Sequence, residues 1–259
     1  VSDWTVPRAA AALLEAADTG SARAQLTGDW PGLDLATAYA VQDGALRLRQ
    51  NRGERLIGVK LGLTSRASQR RLGATSPLTG WLTDAMALPA GAPVPRDRLI
   101  GPRAEPEIMF VLGSRLAGPG VTAASALAAV AAVRCGLEVI DVRYRDFRFT
   151  LPDAVADNGL SACFVTGPVA VPADALDLTL EACLLEVDGQ VTGSATGAAV
   201  LGHPAEALAW GANELARRGL ALEAGWVVLT GSMTDPVACP AGVTLAAHFT
   251  TLGSVFLPG

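Results

Sequence analysis

Pro102-Arg103-Ala104-Glu105-Pro106-Glu107-Ile108-Met109-Phe110-Val111 sets two acidic side chains, two residues apart, at the head of an apolar β-type run. On an extended strand that spacing puts both carboxylates on one face. Side by side they repel unless a cation lies between them. Pro106 cannot donate to a ladder, which suits a sheet edge or a bulge beside an open site. A solvated edge bearing two acidic residues is the plain alternative. The balance shifts with Cys135-Gly136-Leu137-Glu138-Val139-Ile140-Asp141, where a third carboxylate, Glu138, sits among apolar residues. Buried there, it requires a cation or a proton. Glu105, Glu107 and Glu138 together would form a three-carboxylate site, and hard oxygen ligands of this kind select Mg²⁺, Mn²⁺ or Ca²⁺ over zinc. Asp141 competes for the role. It has the opposite strand parity from Glu138, however, and an ion pair with Arg143 or Arg145 would account for it.

Around these two strands the pattern defines the fold class. Further β-type runs separated by Gly and Pro are Leu56–Val59, Cys163–Val165, Leu180–Val187, Trp226–Thr230, Val243–Phe249 and Ser254–Leu257. One helix is expected from Thr122 to about Val133. Another is expected from His203-Pro204, with proline at the first helical position, to Arg217-Arg218-Gly219, with cations in the last turn. Strands and helices do not alternate as in a doubly wound fold, so the class is α+β: a mixed or mainly antiparallel sheet with packed helices. Before residue 56 the chain reads as helical. Pro7 to Ala17 is rich in Ala and Leu, and Asp34 caps a second helix that frays at Asn51-Arg52-Gly53. The expected division is a small helical N-terminal region, 1–55, and a catalytic domain, 56–259.

Lys60 is the single lysine, against nineteen arginines. Arginine keeps its charge on a planar fork, whereas an ammonium shifts its pKa on burial and can give up a proton. In Gly58-Val59-Lys60-Leu61-Gly62-Leu63-Thr64-Ser65 its neighbours are apolar, so a lysine kept for chemistry fits better than a stray surface one. Val155-Ala156-Asp157-Asn158-Gly159-Leu160-Ser161 and Thr230-Gly231-Ser232-Met233-Thr234 are small polar segments that could line a pocket. Each alone is more often an ordinary turn than a site.

Net charge is -5, with no basic run or aromatic–basic interleaving, which argues against nucleic acid. Mean hydropathy is +0.34, yet the longest apolar stretch, Ala123 to Val133, falls short of the roughly 20 residues of a membrane span. The N-terminal residues do not read as a signal peptide, being interrupted by Asp3, Arg8 and Glu15. Cys135, Cys163, Cys183 and Cys239 form no C-x-x-C pair and are expected as buried thiols of a cytoplasmic protein. His203 and His248 match no zinc spacing. No phosphate-binding glycine loop or G-x-S-x-G elbow occurs.

Taken in order, these segments resemble the 2-keto-4-pentenoate hydratase and 4-oxalocrotonate decarboxylase group of the fumarylacetoacetate hydrolase superfamily. The resemblance runs from about Val41 to Phe256. It rests on Lys60 to Ser65, the E-x-E strand with downstream Glu138, Val155-Ala156-Asp157-Asn158, Ala198-Ala199-Val200-Leu201-Gly202-His203-Pro204 and Leu252-Gly253-Ser254-Val255. It implies a mixed β-roll, a Mg²⁺ (or Mn²⁺) site at Glu105, Glu107 and Glu138, and Lys60 as the active-site lysine. Leu61, Asp157, Ser161 and Thr230 are implied as substrate-binding residues for a small 2-oxo acid. The implied setting is aromatic catabolism, in a homo-oligomer or a complex with a paralogous hydratase. Hydrolase members use a histidine in the N-terminal half, and this chain has none before His203. Glu138-Val139-Ile140-Asp141-Val142-Arg143-Tyr144 with Phe147-Arg148-Phe149 looks more like the decarboxylase branch. Val142, Gly159 and Leu160 depart from its pattern.

Overall fold

A computed structural model describes residues 3–259. Three helices build the N-terminal region: α1 (Val6–Thr19), α2 (Leu26–Asp29) and α3 (Leu35–Asn51). Thr5 and Asp34 cap α1 and α3, each side chain accepting from the backbone N–H three residues on. The chain continues through β1 (Leu56–Gly62), α4 (Arg66–Leu72), β2 (Leu78–Thr83), β3 (Arg103–Leu112), α5 (Ala123–Ala128) and β4 (Val130–Ile140). Next come α6 (Leu151–Ala156), β5 (Ser161–Thr166), β6 (Ala182–Val187), β7 (Gln190–Thr196) and α7 (Pro204–Arg217). Four short strands end it: β8 (Val227–Leu229), β9 (Val237–Ala238), β10 (Leu245–Phe249) and β11 (Gly253–Leu257).

The larger sheet has the order β2-β1-β8-β3-β4-β5, with β9 added to β3, and only β1 and β8 pair in parallel. The smaller, β11-β10-β6-β7, is antiparallel throughout. The α+β class with a mixed sheet is therefore the one observed. Strand parity divides the larger sheet's work. Val59 and Leu61 of β1, Ile108 and Phe110 of β3, and Cys135, Leu137 and Val139 of β4 enter the main core, with Leu185, Ala247 and Val255 of the small sheet and Leu208 of α7. Their alternates, Lys60, Glu105, Glu107 and Glu138, belong to the opposite face.

Two sequence expectations are corrected. The helix after Thr122 stops at Ala128, and β4 begins at Val130, because Val133 pairs with Phe110 of β3. An Ala/Val run carries no periodicity of its own, so tertiary pairing decides its state. Nor is β3 an edge strand, since β4 flanks it on one side and β8 and β9 on the other. Pro106 lies in the gap between β8 and β9. Its carbonyl accepts from the Met233 N–H across that gap, so the missing proline N–H breaks no ladder bond to β4. Helices α4 and α6 and strands β2 and β7 were not anticipated. The β6–β7 hairpin turns at Asp188-Gly189, both with positive φ.

Helices α1 and α3 share a second core with Ile140, Val142, Tyr144 and α6. Asp153 of α6 ties the junction together. It is fully buried and accepts from the Thr27 N–H (2.9 Å) and hydroxyl (2.7 Å) and from the Thr150 N–H (2.9 Å) and hydroxyl (2.7 Å). Asp153→Ala leaves the part-buried backbone donors of Thr27 and Thr150 without their acceptor. Urea unfolding should show a loss of about 3 kcal/mol, larger than any exposed Asp→Ala control.

Candidate active site

In the sheet order, β8 separates β1 from β3, but it ends at Leu229, level with Lys60 and Met109. Beyond that point the sheet opens between β1 and β3. The chain leaving β8 turns at Gly231, whose N–H donates to Glu107 Oε2 at 2.7 Å. Only glycine serves there: φ is +110°, and an added Cβ would lie 1.8 Å from Thr64 Oγ1. On the far side of β3 the register sets Glu105 directly opposite Glu138.

The three carboxylates converge: each offers an oxygen, and these atoms lie within 4.8 Å of one another. Glu107 and Glu138 are fully buried and Lys60 is 3% exposed. The Lys60 ammonium lies 2.9 Å from Glu138 Oε2 and donates to the Gly159 carbonyl at 3.1 Å. Ser161 Oγ donates to Glu138 Oε1 at 2.7 Å. Glu107 Oε1 is buried with no hydrogen-bond partner among the described residues. The Gly159 carbonyl is held by a tight loop in which Asn158, Gly159 and Leu160 all have positive φ. Asn158 anchors it, accepting from the Trp81 N–H (2.7 Å) and donating to the Trp81 carbonyl (2.9 Å).

Electrostatics make this arrangement incomplete. Burial drives Glu105 up to about 7, Lys60 opposing and Glu138 reinforcing the rise. Glu107 is pushed well above the carboxylate range by burial and then by Glu138. Burial alone would lower the Lys60 pKa, but the summed attraction of Glu138, Glu105 and Glu107 raises it. One ammonium cannot neutralise three converging carboxylates, two of them fully buried. The orphaned Glu107 oxygen and the all-oxygen donor set fit a hard divalent cation.

Above the carboxylates opens a cavity of about 800 Å³. Its base is Lys60, Glu105 and Glu107, and its walls include Leu63, Leu78, Ile140, Phe147, Phe149 and Leu160. Of the four expected substrate-binding residues, only Leu61 lines it. The Leu61 side chain points the other way, against Gly211 of α7, so its main chain is what it can offer. Ser161 holds Glu138 from behind. The Thr230 hydroxyl is spent on the Ile108 carbonyl at 2.8 Å.

Asp157 stands apart from the cavity. Its carboxylate accepts from Arg143 Nε (2.5 Å) and the Arg143 N–H (3.0 Å), and burial raises it to about 6 against the pull of that guanidinium. Asp141 pairs with neither Arg143 nor Arg145. It accepts instead from the N–H groups of Ile100 and Gly101. The sequence reading missed the Gly159 carbonyl, the Gly231 N–H and Arg103 at the cavity wall. Arg103 alone left a signal, two residues before Glu105 on the same strand.

A family model described as "Fumarylacetoacetate (FAA) hydrolase C-terminal" matches residues 58–256. The chain belongs to the fumarylacetoacetate hydrolase family. Within that family it is 43% identical to a 2-keto-4-pentenoate hydratase of Burkholderia vietnamiensis, over 98% of this chain and 97% of the relative. It is 40% identical to a 4-oxalocrotonate decarboxylase of a Pseudomonas species, over 96% of each. The solved 4-oxalocrotonate decarboxylase from Pseudomonas putida G7, complexed with magnesium and adipate, superposes with a TM-score of 0.95. It is 36% identical and covers 98% of this chain and 96% of its own. The sequence resemblance is thereby confirmed at the level of the group. Among the described residues, no helix is long and apolar enough to cross a membrane.

Two outcomes follow for this family member. Glu107→Gln puts a neutral amide in place of a carboxyl that burial and Glu138 push well above its usual range, and takes away one candidate cation ligand. Thermal melts should show the cation-free protein unchanged or stabilised, and the rise in Tm with added Mg²⁺ lost. The second concerns pH. Glu105 titrates in the folded chain near 7, above its ordinary 4.5, so between those values the folded state holds a proton that the unfolded chain has released. Stability without a cation therefore falls as pH rises through that window. Mg²⁺ must displace the same proton, so its stabilising effect should grow from pH 5 to pH 7.5, as melts across that range can show.

Proposed function

We propose that this protein is a lyase that decarboxylates 4-oxalocrotonate (2-oxohex-3-enedioate) to 2-hydroxypenta-2,4-dienoate in the breakdown of aromatic compounds. The observation that carries the reading is one ammonium, Lys60, ion-paired within a converging carboxylate triad at the base of a cavity whose walls combine apolar side chains with arginines. Glu105, Glu107 and Glu138 would hold Mg²⁺ or Mn²⁺. When bound, such an ion supplies a Lewis acid for the oxo-acid end of the substrate. The P. putida G7 relative, complexed with magnesium and the six-carbon diacid adipate, supports both the ion and the ligand class.

The residues suit the electron flow. Breaking the C5–C6 bond releases CO₂ and sends its electron pair through the C3–C4 double bond to the 2-oxygen, which takes a proton. Lys60 donates a hydrogen bond toward that oxygen as its charge develops, and its raised pKa keeps it a donor at neutral pH. Glu138 and the Gly159 carbonyl fix the direction of the ammonium, and Ser161 fixes Glu138. Leu63, Leu78, Ile140, Phe149 and Leu160 offer an apolar surface for the carbon chain. With no histidine before His203, the water-activating arrangement of the family's hydrolases has no counterpart here.

A second reading, hydration of 2-hydroxypenta-2,4-dienoate, draws support from the 43% identity to the Burkholderia hydratase. Offering both substrates separates the two. The decarboxylase releases CO₂ from 2-oxohex-3-enedioate, whereas the hydratase forms 4-hydroxy-2-oxopentanoate from the dienoate. Turnover should stop with EDTA and return with Mg²⁺. Lys60→Met should lower kcat on the order of a thousandfold while still binding Mg²⁺; normal turnover in that variant would remove Lys60 from the chemistry.

A further inference from the structure

Arg103 is the first residue of β3 and shares the face of Glu105 and Glu107. Two residues along a strand span about 7 Å, close to the length of an extended six-carbon chain. Its guanidinium stacks on the ring of Phe147, 4.1 Å from the centroid, and both residues line the active-site cavity. Phe147 is brought beneath it by a turn in which Asp146 and Phe147 both adopt positive φ, a costly conformation for residues with side chains.

Two other cations near the site are occupied. Arg71, on the same cavity, lies 3.2 Å from Asp235, and Arg143 is bound by Asp157. Arg103 has no carboxylate partner among the described residues, although it is half-buried and close in sequence to an acidic cluster. Stacking fixes the plane of a guanidinium while leaving its edge donors free, the geometry that takes a carboxylate in two parallel hydrogen bonds. Arg148, exposed on the same wall, adds positive charge beside it.

We propose that Arg103 reads the far carboxylate of a dicarboxylic 2-oxo acid and so sets the enzyme's preference for diacids over monoacids. The inference rests on the function proposed above, which places the oxo-acid end at Lys60 and the triad. The carbon chain then lies along Ile140 and Phe149, and the second anion meets the half-buried guanidinium that Phe147 holds on the wall. A monocarboxylate of the same length would leave Arg103 with water alone.

The test measures binding of 2-oxoadipate and of its monocarboxylate counterpart 2-oxohexanoate, with Mg²⁺ present, by calorimetry. The wild-type protein should bind the diacid at least about tenfold more tightly, the worth of one charge-assisted pair. Arg103→Met should bring the two within about twofold by weakening only the diacid, and Arg103→Lys should restore part of the difference. A wild-type protein with no preference overturns the proposal, and that arm needs no variant to fold. Equal weakening of both ligands in Arg103→Met also overturns it, by placing Arg103 at the oxo-acid end instead. If neither compound binds the wild-type protein, the failure lies in the proposed function itself.

Discussion

Three converging carboxylates, two of them fully buried, facing one ammonium form the constraint on which the rest of this molecule turns. Buried charges of one sign cost several kcal/mol each unless a counter-charge and hydrogen bonds repay them. Here the compensation is partial. Glu138 is served by Lys60 and Ser161, and Glu107 by the Gly231 N–H, while the second Glu107 oxygen has nothing. Each compensating group arrives on a different segment: β1, the start of β5, and the turn after β8. The site therefore exists only once the whole larger sheet has formed.

The sheet supports this by giving its two faces different tasks. One face of β1, β3 and β4 packs the main core together with the small sheet and α7, and supplies the burial that stabilises the fold. The other carries the carboxylates and the cavity. The short β8 is what opens it, because a longer strand would fill the space between Lys60 and Glu107. Backbone strain is concentrated where it serves the site: the Asn158-Gly159-Leu160 loop aims a carbonyl at Lys60, and the Asp146-Phe147 turn sets an aromatic ring under Arg103.

Much of this was legible beforehand. The two-residue spacing of Glu105 and Glu107 placed those two on one face, because period 2 is a property of any extended chain, and Glu138 stood out as a carboxylate in an apolar run. Lys60 stood out by composition alone. The cap at Asp34 and the proline at Pro204 marked the starts of α3 and α7 correctly, since side-chain capping and a fixed φ both act locally. Asp157 and Thr230 misled the reading for a related reason. A polar residue in a small-residue segment signals a hydrogen bond but not its partner, and both turned inward to Arg143 and to the Ile108 carbonyl. The helix expected through Val133 failed where alanine and valine offer no periodicity.

By itself the sequence determined which atoms could do chemistry: three carboxylates in strand-compatible positions, one amine, and no histidine in the first three-quarters of the chain. Periodicity and residue type depend only on local geometry and can be read in one dimension. Tertiary structure alone decided that Glu105 faces Glu138 across β3 and β4, that Pro106 falls in a gap rather than at an edge, and that the Arg103 guanidinium is left without a partner. Those facts depend on register and on which distant segments meet, and contacts between residues far apart in the chain are set by packing the whole sheet at once.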